Sequence, residues 1–158
     1  MFINFSSFLQ SMKRVQMRSR DLNELLKGYS YEVSKKDTVE VIDDHIILIN
    51  KKPCFFYYEK RLVPTLQILQ EKDLLKKIIV DMGAVKFLVS GADLMRPGIK
   101  EIDTSIEKDD FVVVLDINNK RPLMLGLALF SGEDIQKMSI GKVVKNIHFV
   151  GDPIWKFT

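Results

Sequence analysis

The stretch DMGAVKFLVSGADLMRPGI, Asp81 to Ile99, decides how the chain is read. Ala84, Phe87 and Leu88 recur at helical spacing, which predicts a short helix with Phe87 and Leu88 turned mainly toward a core. Lys86 and Ser90 are four apart and share a face. Gly91 ends the helix, where a left-handed residue is favoured and a missing Cβ costs nothing. With the small Ala92 beside it, the turn is expected to leave backbone amides open to a phosphate or ribose. Arg96 follows on an extended segment, just before Pro97 and Gly98, a dipeptide that predicts a type II turn. A cation on a helix, a bare glycine and a second cation form a candidate cradle for an RNA backbone. Its residues are Lys86, Ser90, Gly91, Ala92 and Arg96, with Pro97 and Gly98 shaping the turn. A helix cap followed by a turn explains Gly91 and Gly98 equally well.

Around this stretch lie short strands. Ile78 to Asp81 precedes it, and Phe111 to Leu115 is a continuous apolar run. Asn118 and Asn119 mark a hairpin into Leu123 to Phe130, which Gly126 interrupts. Ser131 followed by Asp134 is a capping signature for a helix to about Met138. Val143 to Val150 alternates, which points Asn146 and His148 to a polar face and Ile147 and Phe149 to the other.

The N-terminal half reads differently. A helix is expected from about Arg20 to Lys27, with Ser19 as its cap, Asp21 in its first turn and Gly28 after its end. Thr38 to Ile42 and His45 to Asn50 form a hairpin across Asp43 and Asp44, and Pro53 to Tyr58 is a third strand. Pro64 and Thr65 open a helix placed at about 64 to 76. Seven of the eight glycines stand at or beyond Gly83, and the seam falls near Glu71 to Lys77.

The chain has 158 residues, 46% apolar and 28% charged, which is a globular composition and excludes a charged disordered tail. Its longest uncharged stretch, Met1 to Met12, is shorter than the roughly 18 to 20 apolar residues of a membrane helix and lacks a basic n-region and a cleavage site. A cytoplasmic location with no membrane partner is expected. The single cysteine, Cys54, excludes an internal disulfide and a cysteine zinc site. Net charge is +3, divided as +4 over residues 1–77 and −1 over 78–158. Lys13, Arg14, Arg18 and Arg20 come with no acid between them, either a secondary strip for a phosphate backbone or a solvated face.

The segment Asp81 to Ile99 resembles the opening of a PUA domain, the RNA-binding module of pseudouridine synthases and archaeosine transglycosylases. The likeness continues through Asp109 to Val114, the strand with Gly126, the helix at Glu133 to Ile135, and Asn146 to Phe149. Residues 15 to 157 resemble the malignant-T-cell-amplified family of archaea and eukaryotes. That likeness rests on Pro64-Thr65-Leu66, on Val80-Asp81 and Gly83-Ala84 with Lys86-Phe87 and Ser90-Gly91-Ala92, and on Asn146-Ile147-His148 with Asp152 and Trp155. The resemblance implies an α+β protein: a small N-terminal α+β domain, residues 1–77, and a C-terminal PUA pseudo-barrel, residues 78–158, of mixed β structure with two short helices. It also implies RNA contact by Lys86, Ser90, Gly91, Ala92 and Arg96. Implied partners are tRNA or ribosomal RNA, the small ribosomal subunit, and a protein held by the N-terminal domain. Some eukaryotic relatives hold zinc through cysteines; Cys54 alone supports no metal site.

Other residues point away from catalysis. His45 beside Asp43 and Asp44 fits a hairpin turn better than a metal site. His148 is expected as an exposed histidine, one that could also stack on a base or meet a phosphate. Cys54, the aromatic run Phe55 to Tyr58 and Trp155 are expected to pack. The chain has no nucleotide-binding glycine motif, no HExxH and no GxSxG. The leading expectation is a non-catalytic RNA-binding protein of the translation apparatus, with no cofactor. Two alternatives are a subunit presenting tRNA to a separate modification enzyme and a protein-interaction adaptor that binds no RNA.

Overall fold

The computed structural model describes residues 13–157, so the uncharged stretch Met1–Met12 lies outside it. The fold is α+β and divides into two compact units, one ending at Val63 and the other spanning Pro64–Phe157.

In the first unit, β1 (Arg14–Met17), β2 (Val39–Ile42), β3 (Ile46–Ile49), β4 (Lys52–Tyr58) and β5 (Arg61–Pro64) form one sheet in sequential order. The β2–β3 hairpin closes through Asp43, Asp44 and His45, between the paired Ile42 and Ile46; Asp43 and Asp44 have φ of 53° and 55°, the positive values that suit the strand twist. β2, β3 and β5 read as strands because their Val and Ile residues are buried, with Ile42 and Ile47 fully so. The aromatic run splits as expected of a core strand: Phe55 and Phe56 are buried and Tyr57 and Tyr58 half-buried. Cys54 is buried. The helix α1 (Ser19–Leu25) sinks Leu22, and Leu26 follows it into the core. Arg18, not Ser19, holds its N-cap position, and it makes no side-chain capping bond. Instead Asn23 anchors the helix: its Nδ2 donates to the Val33 carbonyl at 2.9 Å and its Oδ1 accepts from the Val33 amide at 2.7 Å. The strand β1 was not expected. It needs no buried face, because pairing with β2 from Arg14↔Ile42 to Met17↔Val39 supplies its bonds.

The second unit begins with α2 (Leu66–Leu69), much shorter than the helix expected over 64–76. Thr65 caps it, accepting from the Ile68 amide at 3.3 Å. Leu66 and Ile68 are buried, but Leu74 and Leu75 instead line a cavity of about 280 Å³ with Val113 and Leu115, so no apolar stripe sustains further turns. Gln67 Nε2 donates to the Ile154 and Trp155 carbonyls at 3.2 and 2.9 Å. These contacts place the compact division at Val63/Pro64, ahead of the seam that composition puts near residue 77.

The remaining strands are β6 (Lys76–Val80), β7 (Leu94–Met95), β8 (Ile99–Ile102), β9 (Phe111–Asp116), β10 (Pro122–Ala128) and β11 (Lys142–Phe149). They form a six-stranded sheet in the order β7-β11-β10-β9-β6-β8. The β6–β9 pair is parallel and the other pairs are antiparallel. Two helices accompany it: α3 (Val85–Leu88), and α4 (Gly132–Lys137), capped by Ser131 as expected. The core gathers Ile78, Val80, Leu88, Val112, Val114, Met124 and Val144. Fully burying each such side chain contributes on the order of 1.5–3 kcal/mol. Gly126 sits at a bulge where any Cβ would fall within 3 Å of Val144, Met124 and the Lys145 carbonyl, so only glycine lets β10 and β11 approach there. Among the described residues, no helix is long and apolar enough to cross a membrane.

Candidate nucleic-acid interface

The stretch from Asp81 folds as a turn of 3-10 helix followed by one turn of α-helix. Asp81 starts it, its carboxylate accepting from the Ala84 amide at 3.1 Å. One helical turn offers the core one strong anchor, and Leu88 is that anchor at 1% exposure. Phe87 stands 57% exposed, contrary to the expectation that it packs inward. Neighbouring residues on a helix diverge by about 100°, and it is Leu88, with Ala84, Val85 and Val89, that meets the core cluster. The Lys86 ammonium lies over the Phe87 ring, 5.2 Å from its centroid.

Gly91 adopts the left-handed conformation, φ +96°, and closes the helix. Its amide donates to the Leu88 carbonyl at 3.1 Å and the Ala92 amide donates to the Phe87 carbonyl at 3.0 Å, the paired bonds of a Schellman cap. The Val89 and Ser90 amides are likewise used inside the turn. The amides expected to lie open for a phosphate are therefore occupied. The chemistry on offer comes from side chains. Ser90 donates its hydroxyl to the Lys86 carbonyl at 2.7 Å, which leaves its oxygen lone pairs to accept from a ligand hydroxyl.

Arg96 is committed elsewhere. Its Nε donates to the Ile135 carbonyl at 2.6 Å and a terminal nitrogen to the Gln136 carbonyl at 3.4 Å, so the guanidinium fastens the turn after β7 to α4. Pro97 and Gly98 lie in a 3-10 turn, and Gly98 is not left-handed, so the turn is not type II.

Two cations that the spacing did not single out lie beside the turn, around Asp93. Lys142 Nζ pairs with Asp93 at 2.9 Å, and Lys145 acts on the same carboxylate. Burial works to raise the Asp93 carboxyl. Hydrogen bonds from Lys142 and the Asn146 amide, with the charges of Lys142 and Lys145, outweigh it and hold the group below the usual range. Lys86, Lys142 and Lys145 thus belong to the elements that make and flank the glycine turn. No sequence signal tied the lysines of β11 to the turn, because only the fold pairs that strand with β7, through Lys142↔Met95 and Val144↔Leu94.

Beside the turn runs a groove of about 450 Å³, walled by Ala84, Phe87, Ala92, Met95, Pro97 and Gly98. Met95, 49% exposed, contributes to its apolar surface. An aromatic face, an apolar slot and neighbouring ammonium groups are what an unpaired nucleotide requires of a protein.

His148 departs from its expected place. It is fully buried. Its Nε2 accepts from the Leu66 amide at 3.1 Å, so the ring proton sits on Nδ1, which meets Asp152 Oδ2 at 2.7 Å. Asp152 also accepts from the Phe149 and Trp155 amides at 3.0 and 2.8 Å. The fold therefore joins the motif around Leu66 to that around His148 as scaffold. His45 is exposed, edge-on to Phe56 at 6.2 Å, in the hairpin. Among the described residues no three His, Cys, Asp or Glu side chains gather closely enough to hold a metal.

The secondary basic residues belong to the first unit. Arg14 pairs with Glu40 at 3.5 Å on the surface, and Lys13 supplies a carbonyl to the Asp43 amide. Arg18 and Arg20 flank and open α1.

Comparison with known proteins divides the chain a little later than the compact units do, between residues 72 and 76. Residues 76–150 match the PUA domain model, and residues 16–72 match a domain of unknown function, DUF1947. An uncharacterized protein of Methanocaldococcus jannaschii is 39% identical over 95% of both chains. Malignant T-cell-amplified sequence 1 of Danio rerio is 32% identical over 77% of this chain and 72% of its own. Translation machinery-associated protein 20 of Saccharomyces cerevisiae is 30% identical over 80% and 76%. Among solved structures, a hypothetical protein of Pyrococcus horikoshii superposes with a TM-score of 0.79 at 34% identity, over 91% of this chain and 98% of that one.

Proposed function

The chain belongs to the family of malignant T-cell-amplified sequence 1 and translation machinery-associated protein 20, and from that premise we propose that it is a non-catalytic RNA-binding factor of the translation apparatus. It binds tRNA or ribosomal RNA through the PUA domain within residues 78–158. The observation that carries this reading is the Lys86–Phe87 pair: an exposed ring with a cation above it, at the mouth of an apolar groove. An unpaired base stacks on Phe87 or enters the groove, while Lys86, Lys142 and Lys145 meet the adjoining phosphates. Ser90 accepts from a ribose hydroxyl, which favours RNA over DNA. Gly91 and Ala92 keep that edge of the surface low. Arg96, Pro97 and Gly98 hold its shape rather than the ligand. The first domain, with its surface arginines, carries the protein partner.

Titration of labelled deacylated tRNA, and of an unrelated blunt duplex RNA, at two salt concentrations tests this. Wild-type affinity for tRNA falls steeply with salt, the blunt duplex binds more weakly, and Lys86→Glu weakens tRNA binding about tenfold or more while leaving the fold intact. Absence of tRNA binding, or equal binding by the variant, overturns the site. One observation favours the adaptor reading: the groove is apolar and residues 78–158 carry a charge of −1. A protein ligand held there would bind with little dependence on salt, and such binding in place of RNA binding would establish that reading.

A further inference from the structure

We propose that Asn146 is a positioning residue that sets the RNA-facing glycine turn. The inference rests on the RNA-binding reading above and concerns a residue that does not itself face the ligand. Asn146 lies on β11, more than fifty positions from the turn in sequence. Its Nδ2 donates to the Leu88 carbonyl at 3.0 Å and to the Ala92 carbonyl at 2.9 Å. One amide group therefore holds both ends of the segment that contains Ser90 and Gly91. Its backbone amide donates to Asp93 Oδ1 at 2.7 Å, so the residue after the turn is fixed to the same point. Lys142 completes the clamp from the start of the strand, through Asp93 Oδ2 at 2.9 Å.

The orientation of the Asn146 amide follows from chemistry. Two carbonyl oxygens need a donor, and the reversed amide would set oxygen against oxygen. As placed, Oδ1 is buried without a partner. A buried orphan acceptor is unfavourable, and it is tolerated here because the other end of the amide has no substitute. Serine and threonine have one hydroxyl proton and cannot bridge two carbonyls. Aspartate at this position would repel both.

The clamp acts on geometry. A Schellman cap is a local structure that frays readily at a one-turn helix. Tying Leu88 and Ala92 to a central strand removes that freedom, so the Ser90 hydroxyl and the Phe87 ring wait in the arrangement the ligand needs. Pre-ordering a loop improves affinity by reducing what binding must spend on ordering it.

Asn146→Ala and Asn146→Leu test this in the full chain. The alanine leaves a space, whereas the leucine fills nearly the same volume without a donor, so packing and hydrogen bonding are separated. Amide hydrogen exchange is measured without RNA, and tRNA affinity is measured as a function of salt well below the melting temperature. In both variants the Ser90, Gly91 and Ala92 amides exchange about tenfold faster, while β9 and β10 stay protected. Affinity falls about tenfold, and the slope of log K against log salt is unchanged because the phosphate-facing lysines remain. A purely structural role would leave the affinity of the folded fraction untouched. Unchanged exchange in the turn overturns the clamp whether or not RNA binds. Faster exchange with undiminished affinity overturns its role in positioning. If the wild type binds no RNA, the positioning role falls together with the RNA-binding reading, and the exchange data then decide only whether Asn146 clamps the turn.

Discussion

Asn146 and His148 stand two residues apart on β11, and each uses a ring or amide nitrogen to hold a distant piece of backbone. Asn146, half-buried with its Oδ1 out of solvent, holds the Leu88 and Ala92 carbonyls at the rim of the surface. His148, with no exposed area, holds the Leu66 amide inside the second unit. The chemistry is nearly the same and the consequences differ because solvent differs. At the surface, water replaces a lost hydrogen bond, so the change is felt as local freedom of a turn. In the interior nothing replaces it, so the loss is felt by the whole unit. One strand thus serves the fold at one position and the candidate site at the next position of the same type.

The sharpest way to break this comparison is at the interior residue. His148→Leu keeps the volume but leaves the Leu66 amide without its acceptor and Asp152 Oδ2 without the ring. The expected loss is about 2–4 kcal/mol of stability, seen as a lower midpoint in urea unfolding followed by near-ultraviolet dichroism. A loss below about 0.5 kcal/mol, the range of an ordinary surface substitution, would show that the interior pair contributes no more than a surface one.

Acid sharpens the same contrast between two carboxylates. Burial would raise the Asp152 carboxyl, but the hydrogen bond with His148, with those from the Trp155 and Phe149 amides, holds it below its ordinary value. A carboxyl lowered on folding adds stability that is present above its unfolded pKa, about 3.9. That stability is lost as pH falls through the folded value. Stability therefore declines as pH drops below about 4. Asp152→Asn flattens that decline more than Asp93→Asn does, because Asp93 is partly exposed and its pairing with Lys142 is screened by solvent. Unfolding midpoints between pH 2 and 6 give the two slopes, and equal slopes would contradict the distinction.

Where the physics is local, the sequence foretells the structure. Asp43 and Asp44 take the positive φ angles of a hairpin turn, Ser131 caps α4, and the apolar run from Phe111 becomes a buried strand. Where partners come from far along the chain, it does not. Alternation assigns His148 to a polar face, but β11 carries a bulge: Leu125 pairs with His148 and Gly126 with Asn146, so Ile147 is an extra residue and the alternation slips. Arg96 looks like a free cation until α4, some forty positions later, offers it two carbonyls. Lys86, Ser90 and Gly91 are legible as a surface turn. Phe87 joins them because a one-turn helix buries only Leu88 fully, and Lys142, Lys145 and Asn146 join them only once β11 pairs with β7.

The smallest expected effect on stability tests the surface side of the comparison. Phe87 is 57% exposed, and its ring is engaged by Lys86. An exposed side chain with one weak cation contact contributes little to folding, so Phe87→Ala shifts stability by no more than about 0.5 kcal/mol. A base that stacks on that ring loses about 1–3 kcal/mol of binding when the ring is removed, so tRNA affinity falls by tenfold or more in the same variant. The ratio of the two effects is what distinguishes a surface kept for a ligand from one kept for the fold. In His148→Leu the stability loss exceeds any change in binding by the folded protein, and in Phe87→Ala the order reverses. Matched losses in stability and affinity at both positions would mean that β11 and the turn form one structural element with no division of labour between them.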